Sequence, residues 1–304
     1  MRIAITGANS AVGQAILRCG LMEPVDGNTL VAAVRSERAA EQIAPLLGTR
    51  STVARISYDD PASLDAAFRG VSAVIHLAGI LVEQPGSTYE QANIAPTRGV
   101  VAAAVRCAAE KFVLVSATGA DQKSSNGYYR SKGQSEALVR ESGLNYTILR
   151  VPLLLGPGTE GSAALIRNAS RSKTRLIGGG RNFQQPLSVD DLARAAVAAA
   201  QPSIACDRTL NLVGPVSLRE RELVTRAARL QGHEIRISSI PKGWLSFVLA
   251  IRRRFDGPGF SPDVIEVITA NTQLDPQVAA SELGIQLTGI DEMIQSSSGQ
   301  GRKK

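Results

Sequence analysis

Tyr128 and Lys132 stand four residues apart in the stretch YYRSK. On a helix that spacing sets two side chains on one face. An ammonium beside a phenol favours the phenolate and lowers an ionisation that is normally near ~10. Such a tyrosine can give a proton to a substrate oxygen, or take one, while a hydride moves to or from a nicotinamide. The lysine can also hold the nicotinamide ribose. Tyr129 is a neighbouring candidate, but it lies only three residues from Lys132. A tyrosine and a lysine also share a helix face by chance, so the pair needs a site around it.

The chain start offers such a site. MRIAIT is followed by GANSAVGQ. An apolar run ended by Gly7 predicts a buried strand that stops in a tight turn. From Val12 onward apolar residues recur at helical spacing. Strand, turn and helix in that order aim backbone N–H groups and a helix dipole at one spot, which suits a phosphate. The pattern is G-x-x-S-x-x-G, with Ser10 between Gly7 and Gly13, where the dinucleotide fingerprint has G-x-G-x-x-G. We read a pyrophosphate site made by Gly7, Asn9, Ser10, Ala11, Val12 and Gly13. The alternative is an ordinary strand–turn–helix corner. Ser10 must either turn away from the phosphate or hydrogen-bond it.

The second strand, residues 29–34, ends at Val34-Arg35-Ser36, with Arg38 behind and no acid before Glu37. An acid at that strand end binds a ribose 2′-hydroxyl, whereas an arginine accepts a 2′-phosphate. Arg35 therefore favours NADP(H) over NAD(H), unless it is simply a solvated surface arginine. Ala78 and Gly79 end a later strand, AVIHL, at the same predicted edge.

These residues need a frame that brings them together. Apolar runs at 29–34, 52–56, 73–77, 112–116 and 146–151 alternate with helical patterns at 37–47, 61–68, 89–110 and 128–142. Pro96 marks a helix start or a kink within 89–110. This alternation predicts an α/β fold with a doubly wound parallel sheet, whose ligand lies at the carboxyl ends of the strands. Residues 1–151 are then the dinucleotide-binding domain. Residues 152–295 form a smaller substrate lobe, within which the chain can return to the sheet, and the polar tail 296–304 is expected to be disordered.

Composition narrows the function. The chain has 304 residues, 44% hydrophobic and 20% charged, as in soluble globular proteins. A net charge of +7 suits an anionic ligand, but the Lys and Arg are scattered and aromatics are only 4%, which argues against nucleic acid. Cys19, Cys107 and Cys206 are isolated, which fits a reducing cytoplasm and gives no zinc site. With only His76 and His233 present, no histidine triad can be built. His76 lies between Ile75 and Leu77, a structural position in the core or near the cofactor. No apolar run reaches ~18 residues, so no spanning helix is expected.

TGANSAVG, HLAG, FVLVSATGA, YYRSK, LRVPLLLGPG and QPLSVDDLA follow one another along most of the chain. In this order they resemble the extended and atypical short-chain dehydrogenase/reductase family. Residues 115–150 and the later TANTQLD are most similar to its NmrA-like branch and to the branch holding the NADPH-binding accessory subunit of respiratory complex I. The resemblance implies a Rossmann core, NAD(P) binding and, in active members, a Ser/Thr-Tyr-Lys set. In that set a helping hydroxyl stands second in a Ser-Ser pair. Here the pair is Ser116-Ala117, and neighbouring strand residues face opposite sides, so Thr118 is the other candidate. The family's adenine-contacting acid would fall near Ser57, where none stands. Cofactor binding thus has more support than turnover. A non-catalytic NADP(H) sensor or assembly factor is the alternative to an oxidoreductase acting on a small molecule.

Residues 244–255 (WLSFVLAIRRRF) place Trp244, Phe247, Val248 and Ile251 on one helical face before three arginines. We read a lid helix over the substrate lobe. The alternative is an interfacial helix that meets lipid headgroups or a hydrophobic substrate such as a quinone.

Overall fold

The computed structural model describes residues 1–22, 28–241, 243 and 261–298. The proposed helix at 244–255 lies outside the described residues. Seven parallel strands form the central sheet. Six come from the first half: β1 (Arg2–Thr6), β2 (Thr29–Val34), β3 (Ser51–Arg55), β4 (Ala73–His76), β5 (Lys111–Ala117) and β6 (Asn145–Val151). Their order is β3-β2-β1-β4-β5-β6, and a short strand, Arg208–Asn211, pairs beside β6. The order reverses direction between β1 and β4, which opens a crevice at their carboxyl ends. The register sets Thr6 directly beside His76 at that point.

Helices cover both faces, which is why the inner strands read as continuous apolar runs. Helix α1 (Ala11–Met22) and the helix Val189–Ala199 pack on one face, joining Ile16 and Leu17 to Leu192 and Ala196. On the other face lie α3 (Pro61–Phe68), α4 (Ala95–Arg106) and α5 (Gly127–Arg140). There Phe68 and Phe112 are fully buried, each worth about 1.5–3 kcal/mol of burial. Helix α2 (Glu37–Ile43) starts on a side-chain cap from Ser36. The long helix expected at 89–110 is divided. A single π-helical turn, Glu90–Ile94, precedes α4, and Pro96 sits in the first turn of α4, where its missing N–H costs nothing.

The second half does return to the sheet. The strand Arg208–Asn211 and the helices Val189–Ala199 and Gln277–Leu283 all belong to the Rossmann core. Between and after them the chain builds a separate core from Leu165, Leu176, Leu223, Ala227 and Met293. This lobe carries a parallel strand pair, Lys173–Ile177 with Arg236–Ile240. Ser296 and Ser297, expected in the tail, complete the helix Ile290–Ser297. Residues 299–304 lie outside the described residues.

Candidate functional site

The pyrophosphate turn has the shape its glycines require. Gly7 takes φ +71°, a left-handed conformation that a side chain strains to adopt. Gly13 faces a different limit: a Cβ there would lie 2.5 Å from the Ala8 carbonyl oxygen. Only glycine lets α1 pack this close to the turn. The Gly13 N–H donates to Ser10 Oγ at 3.1 Å, so Ser10 caps α1. The Ser10 oxygen is thus engaged with its own helix, and its O–H hydrogen remains a donor for an anion at the turn. Gln14 Nε2 donates to the Asn9 carbonyl at 2.9 Å and braces the turn. The first turn of α1 holds no acid to compete with an anion. Ala11 and Val12 begin that helix, and both are partly exposed. This cradle fits a pyrophosphate.

Arg35 is exposed, with its guanidinium 5.9 Å from the centroid of the Tyr58 ring. That contact steers the guanidinium across the strand ends. The nearest acid in sequence, Glu37, pairs instead with Arg55 at 3.4 Å. Burial raises the ionisation of Tyr58, against the opposing pull of Arg35. Tyr58 stands one residue past the place expected for an adenine-contacting acid.

Thr6 and His76 form the floor of the crevice. Thr6 Oγ1 lies 2.6 Å from His76 Nδ1, and His76 Nε2 lies 3.2 Å from Thr97 Oγ1. Thr97 Oγ1 already donates to the Asn93 carbonyl at 2.6 Å. Nε2 must therefore carry the imidazole proton, and Thr6 must donate to Nδ1. Burial, helped by the Lys132 charge, pushes His76 down to about 3, so it stays neutral. It serves the core, as its sequence context predicted. Asn93 Nδ2 continues the chain to Ser131 Oγ at 2.9 Å, and Ser131 Oγ donates to the Tyr128 carbonyl at 2.8 Å. A buried polar path thus runs from the phosphate turn to the helix that bears Tyr128.

Lys132 reaches back into the crevice. Its Nζ donates to the Val115 carbonyl at 3.0 Å, and a Cβ on Gly79 would lie 3.4 Å from that Nζ. Gly79, at φ +156°, follows Ala78 past the end of β4. Burial pushes Lys132 down to about 8, while Glu136 pulls the other way. Tyr128 lies one turn earlier, between the rings of Tyr89 and Tyr129, with centroids 6.1 and 5.8 Å away. Its phenol differs from the expectation. Burial raises its ionisation, with Tyr129 and Tyr89 adding to the shift, and Lys132 does not counter it. The ammonium points to the sheet rather than to the phenol, which therefore stays protonated.

Ser116 Oγ donates to Glu136 Oε1 at 2.7 Å. Glu136 is fully buried and also accepts from Arg150 Nε at 2.8 Å, Arg150 Nη2 at 2.7 Å and Arg140 Nη2 at 2.7 Å. Burial alone would raise its carboxyl. The Arg150, Ser116 and Arg140 bonds together hold it below the usual range. Ser116 is thus a structural ligand of a buried carboxylate. The groove lined by Gly119, Asp121, Lys123, Arg140 and Arg150 belongs to this network, not to the dinucleotide crevice. Thr118 follows β5, is partly exposed, and makes only a long bond, 3.5 Å from its Oγ1 to the Val151 carbonyl. It is the hydroxyl still available. No cluster of His, Cys, Asp or Glu that could hold a metal ion occurs among the described residues.

Asn93, Thr97, Ser131 and Tyr58 escaped the sequence reading. Ser131 lies inside YYRSK but away from its Tyr-Lys pair, the other three stand in no motif, and each has a partner far along the chain.

A family model described as NAD(P)H-binding matches residues 7–202. The chain is 25% identical to a ceramide reductase of Caulobacter vibrioides over 244 residues, covering 79% of this chain and 73% of that protein. It is 25% identical to the photosystem II assembly factor Ycf39 of Synechocystis over 257 residues, covering 84% and 75%. The solved structure of the NADPH-dependent quinone oxidoreductase QOR2 of Escherichia coli, complexed with NADPH, superposes with a TM-score of 0.73 at 20% identity, covering 96% and 98%. With its seven-stranded parallel sheet and glycine turn, this chain belongs to the NAD(P)H-binding family of that model and has a Rossmann-type fold.

Proposed function

We propose that the protein is an NADP(H)-dependent oxidoreductase acting on a carbonyl or hydroxyl of a small molecule. The observation that carries this reading is the seat of Lys132, between Val115 and Gly79 at the crevice, one helical turn from a protonated Tyr128. A bound nicotinamide supplies the hydride. Gly7 and residues 9–13 hold its pyrophosphate, Arg35 takes a 2′-phosphate, and Ala78 and Gly79 line the path between. Lys132 holds the nicotinamide ribose. Tyr128 gives its phenolic proton to the substrate oxygen in reduction and takes it back in oxidation. Thr118 offers the second hydroxyl to that oxygen. The names of the ceramide reductase and quinone oxidoreductase relatives support a carbonyl substrate, an apolar one included.

The test is hydride transfer from NADPH and from NADH to a panel of aldehydes, ketones and quinones, 9,10-phenanthrenequinone among them. Tyr128→Phe should lower kcat by about 10²–10⁴-fold while leaving NADPH affinity unchanged. Arg35→Ala should weaken NADPH at least tenfold and NADH little. Full activity in Tyr128→Phe refutes the proton-transfer role. Equal affinity of the unaltered protein for both dinucleotides refutes the reading of Arg35.

One observation favours a second reading, a non-catalytic NADP(H)-binding sensor or assembly factor. Ser116 is turned into the Glu136 network and Ala117 replaces the second hydroxyl. The Ycf39 relative, named as an assembly factor, points the same way. Tight NADPH binding without turnover on the whole panel would select it.

A further inference from the structure

Helix α5, which carries Tyr128 and Lys132, is capped by two parts of the chain. Its first three N–H groups have no partner within the helix. The Gly127 N–H donates to Asp263 Oδ2 at 2.9 Å. The Tyr128 and Tyr129 N–H groups donate to Asn126 Oδ1 at 3.1 and 3.3 Å. Asn126 is itself held from the same direction as Gly127. Its Nδ2 donates to the Asp263 carbonyl at 3.0 Å and to Glu266 Oε2 at 2.9 Å. Asp263 and Glu266 sit on the helix Pro262–Ile268, which reaches α5 from the far end of the chain.

The contact is closely fitted. A Cβ on Gly127 would lie 3.1 Å from Asp263 Oδ2 and 3.2 Å from Tyr89 Cε2. The other end of the same helix is tied to the short strand Phe183–Gln184, where Gln184 Nε2 donates to the Ile268 carbonyl at 2.9 Å. Just beyond, the Phe183 N–H donates to Asn271 Oδ1 at 2.8 Å and the Thr272 N–H to the Phe183 carbonyl at 2.9 Å. Pro262–Ile268 is therefore a strut between the Gln184 segment and the start of α5.

A carboxylate on the first N–H of a helix gains both from the hydrogen bond and from the dipole. Without it the first turn opens more readily, and Tyr128 is the second residue of that turn. Misplacement of a reacting group by ~1 Å can cost about 10²-fold in rate. We propose that Asp263 is a positioning residue for Tyr128, closing the α5 cap so that the phenol is held in place only while the strut is docked. The proposal rests on Tyr128 being the proton donor, and its test separates the two.

The full chain carrying Asp263→Ala, Asp263→Asn or Tyr128→Phe is labelled with ε-¹³C-tyrosine, and the Tyr128 resonance is assigned by its loss in Tyr128→Phe. Asp263→Ala should shift or broaden the Tyr128 signal. With 9,10-phenanthrenequinone it should lower kcat about tenfold while the Kd for NADPH, read by its fluorescence, stays constant. Asp263→Asn keeps an acceptor oxygen, so it should retain the native signal and a kcat within about threefold of the unaltered protein. An unmoved Tyr128 signal in Asp263→Ala overturns the proposal, as does an Asn variant as impaired as the Ala variant. If Tyr128→Phe is fully active, the proton-donor reading falls, and the resonance still decides whether Asp263 positions the ring.

Discussion

His76 performs no chemistry, yet it closes the floor between the two strands that open the crevice. Its protonation state has a measurable consequence. Burial lowers it to about 3, from 6.5 in an unstructured chain. Between those values the unfolded state binds a proton that the folded state refuses. Stability therefore falls as pH drops below 6.5, by up to ~1.4 kcal/mol per unit from this group. Carboxylates titrate in the same range, so the test is a difference. Urea unfolding at pH 7 and pH 5 should show the unaltered protein losing about 2 kcal/mol more than His76→Asn. Equal losses would mean that the imidazole is not held neutral. This residue also shows what was legible in the sequence. Its burial followed from its apolar neighbours. Its partners Thr6 and Thr97 lie 70 and 21 residues away and carried no local signal. Tyr128 and Lys132 were readable because helical spacing is local. Ser116 was readable as doubtful because strand alternation is local, and the pleat indeed turns it to Glu136. The state of the Tyr128 phenol was not readable, because it depends on Tyr89 and on where the Lys132 ammonium points.

At the level of elements, the glycine turn and the helix behind it work as one device. Ser10 Oγ accepts from the Gly13 N–H and caps α1, which leaves its O–H hydrogen to join the backbone N–H groups and the dipole on the anion. Those groups converge only if α1 approaches the turn closely, and Gly13 permits that approach. Gly13→Ala forces a methyl against the Ala8 carbonyl, from which it would stand 2.5 Å away, so α1 must move. The expected outcome is a loss of about 1–3 kcal/mol in stability together with loss of NADPH binding, checked by thermal melting and fluorescence titration. Ser10→Ala is the informative contrast. It removes a cap worth about 1 kcal/mol but adds no bulk, so binding should survive it. A Gly13→Ala protein that binds NADPH normally would show that close packing of α1 is not what builds the site. The strand–helix alternation made this device visible from the sequence. The division of the expected 89–110 helix was only half visible. Pro96 marked the interruption, but the π turn that seats Asn93 depends on Ile80 and Ser131 across the crevice.

At the scale of the whole molecule, the sheet and the core that covers it extend past residue 151. Residues 1–151 contain every motif of the dinucleotide site, and six strands of the sheet. What they lack is the rest of the cover of one face, beyond α1 and α2. Leu187, Val189, Leu192, Ala196 and Leu210 fill the core around Ile16 and Leu17, and all come from beyond residue 151. The strand Arg208–Asn211 covers the β6 edge. Lys111, fully buried at the start of β5, donates its Nζ to Asn145 Oδ1 and to the Ile204 carbonyl, each at 2.9 Å. Without the returning segment this ammonium loses a backbone partner, and a buried charge without its full set of acceptors is costly. The run TLNLV at 209–213 has the composition of a strand, but so short a run does not reveal which sheet it will join. A fragment of residues 1–151 should therefore fail to fold cooperatively, exposing apolar surface that binds a hydrophobic dye and showing no sharp thermal transition. The whole chain should melt cooperatively and bind NADPH. If the fragment alone melts sharply and binds NADPH with the affinity of the whole chain, the first 151 residues are a self-sufficient domain. The returning strand and helix would then be an attachment to it. If it does not, folding of the cofactor site waits for the second half of the chain, and lobe and crevice form as one cooperative unit.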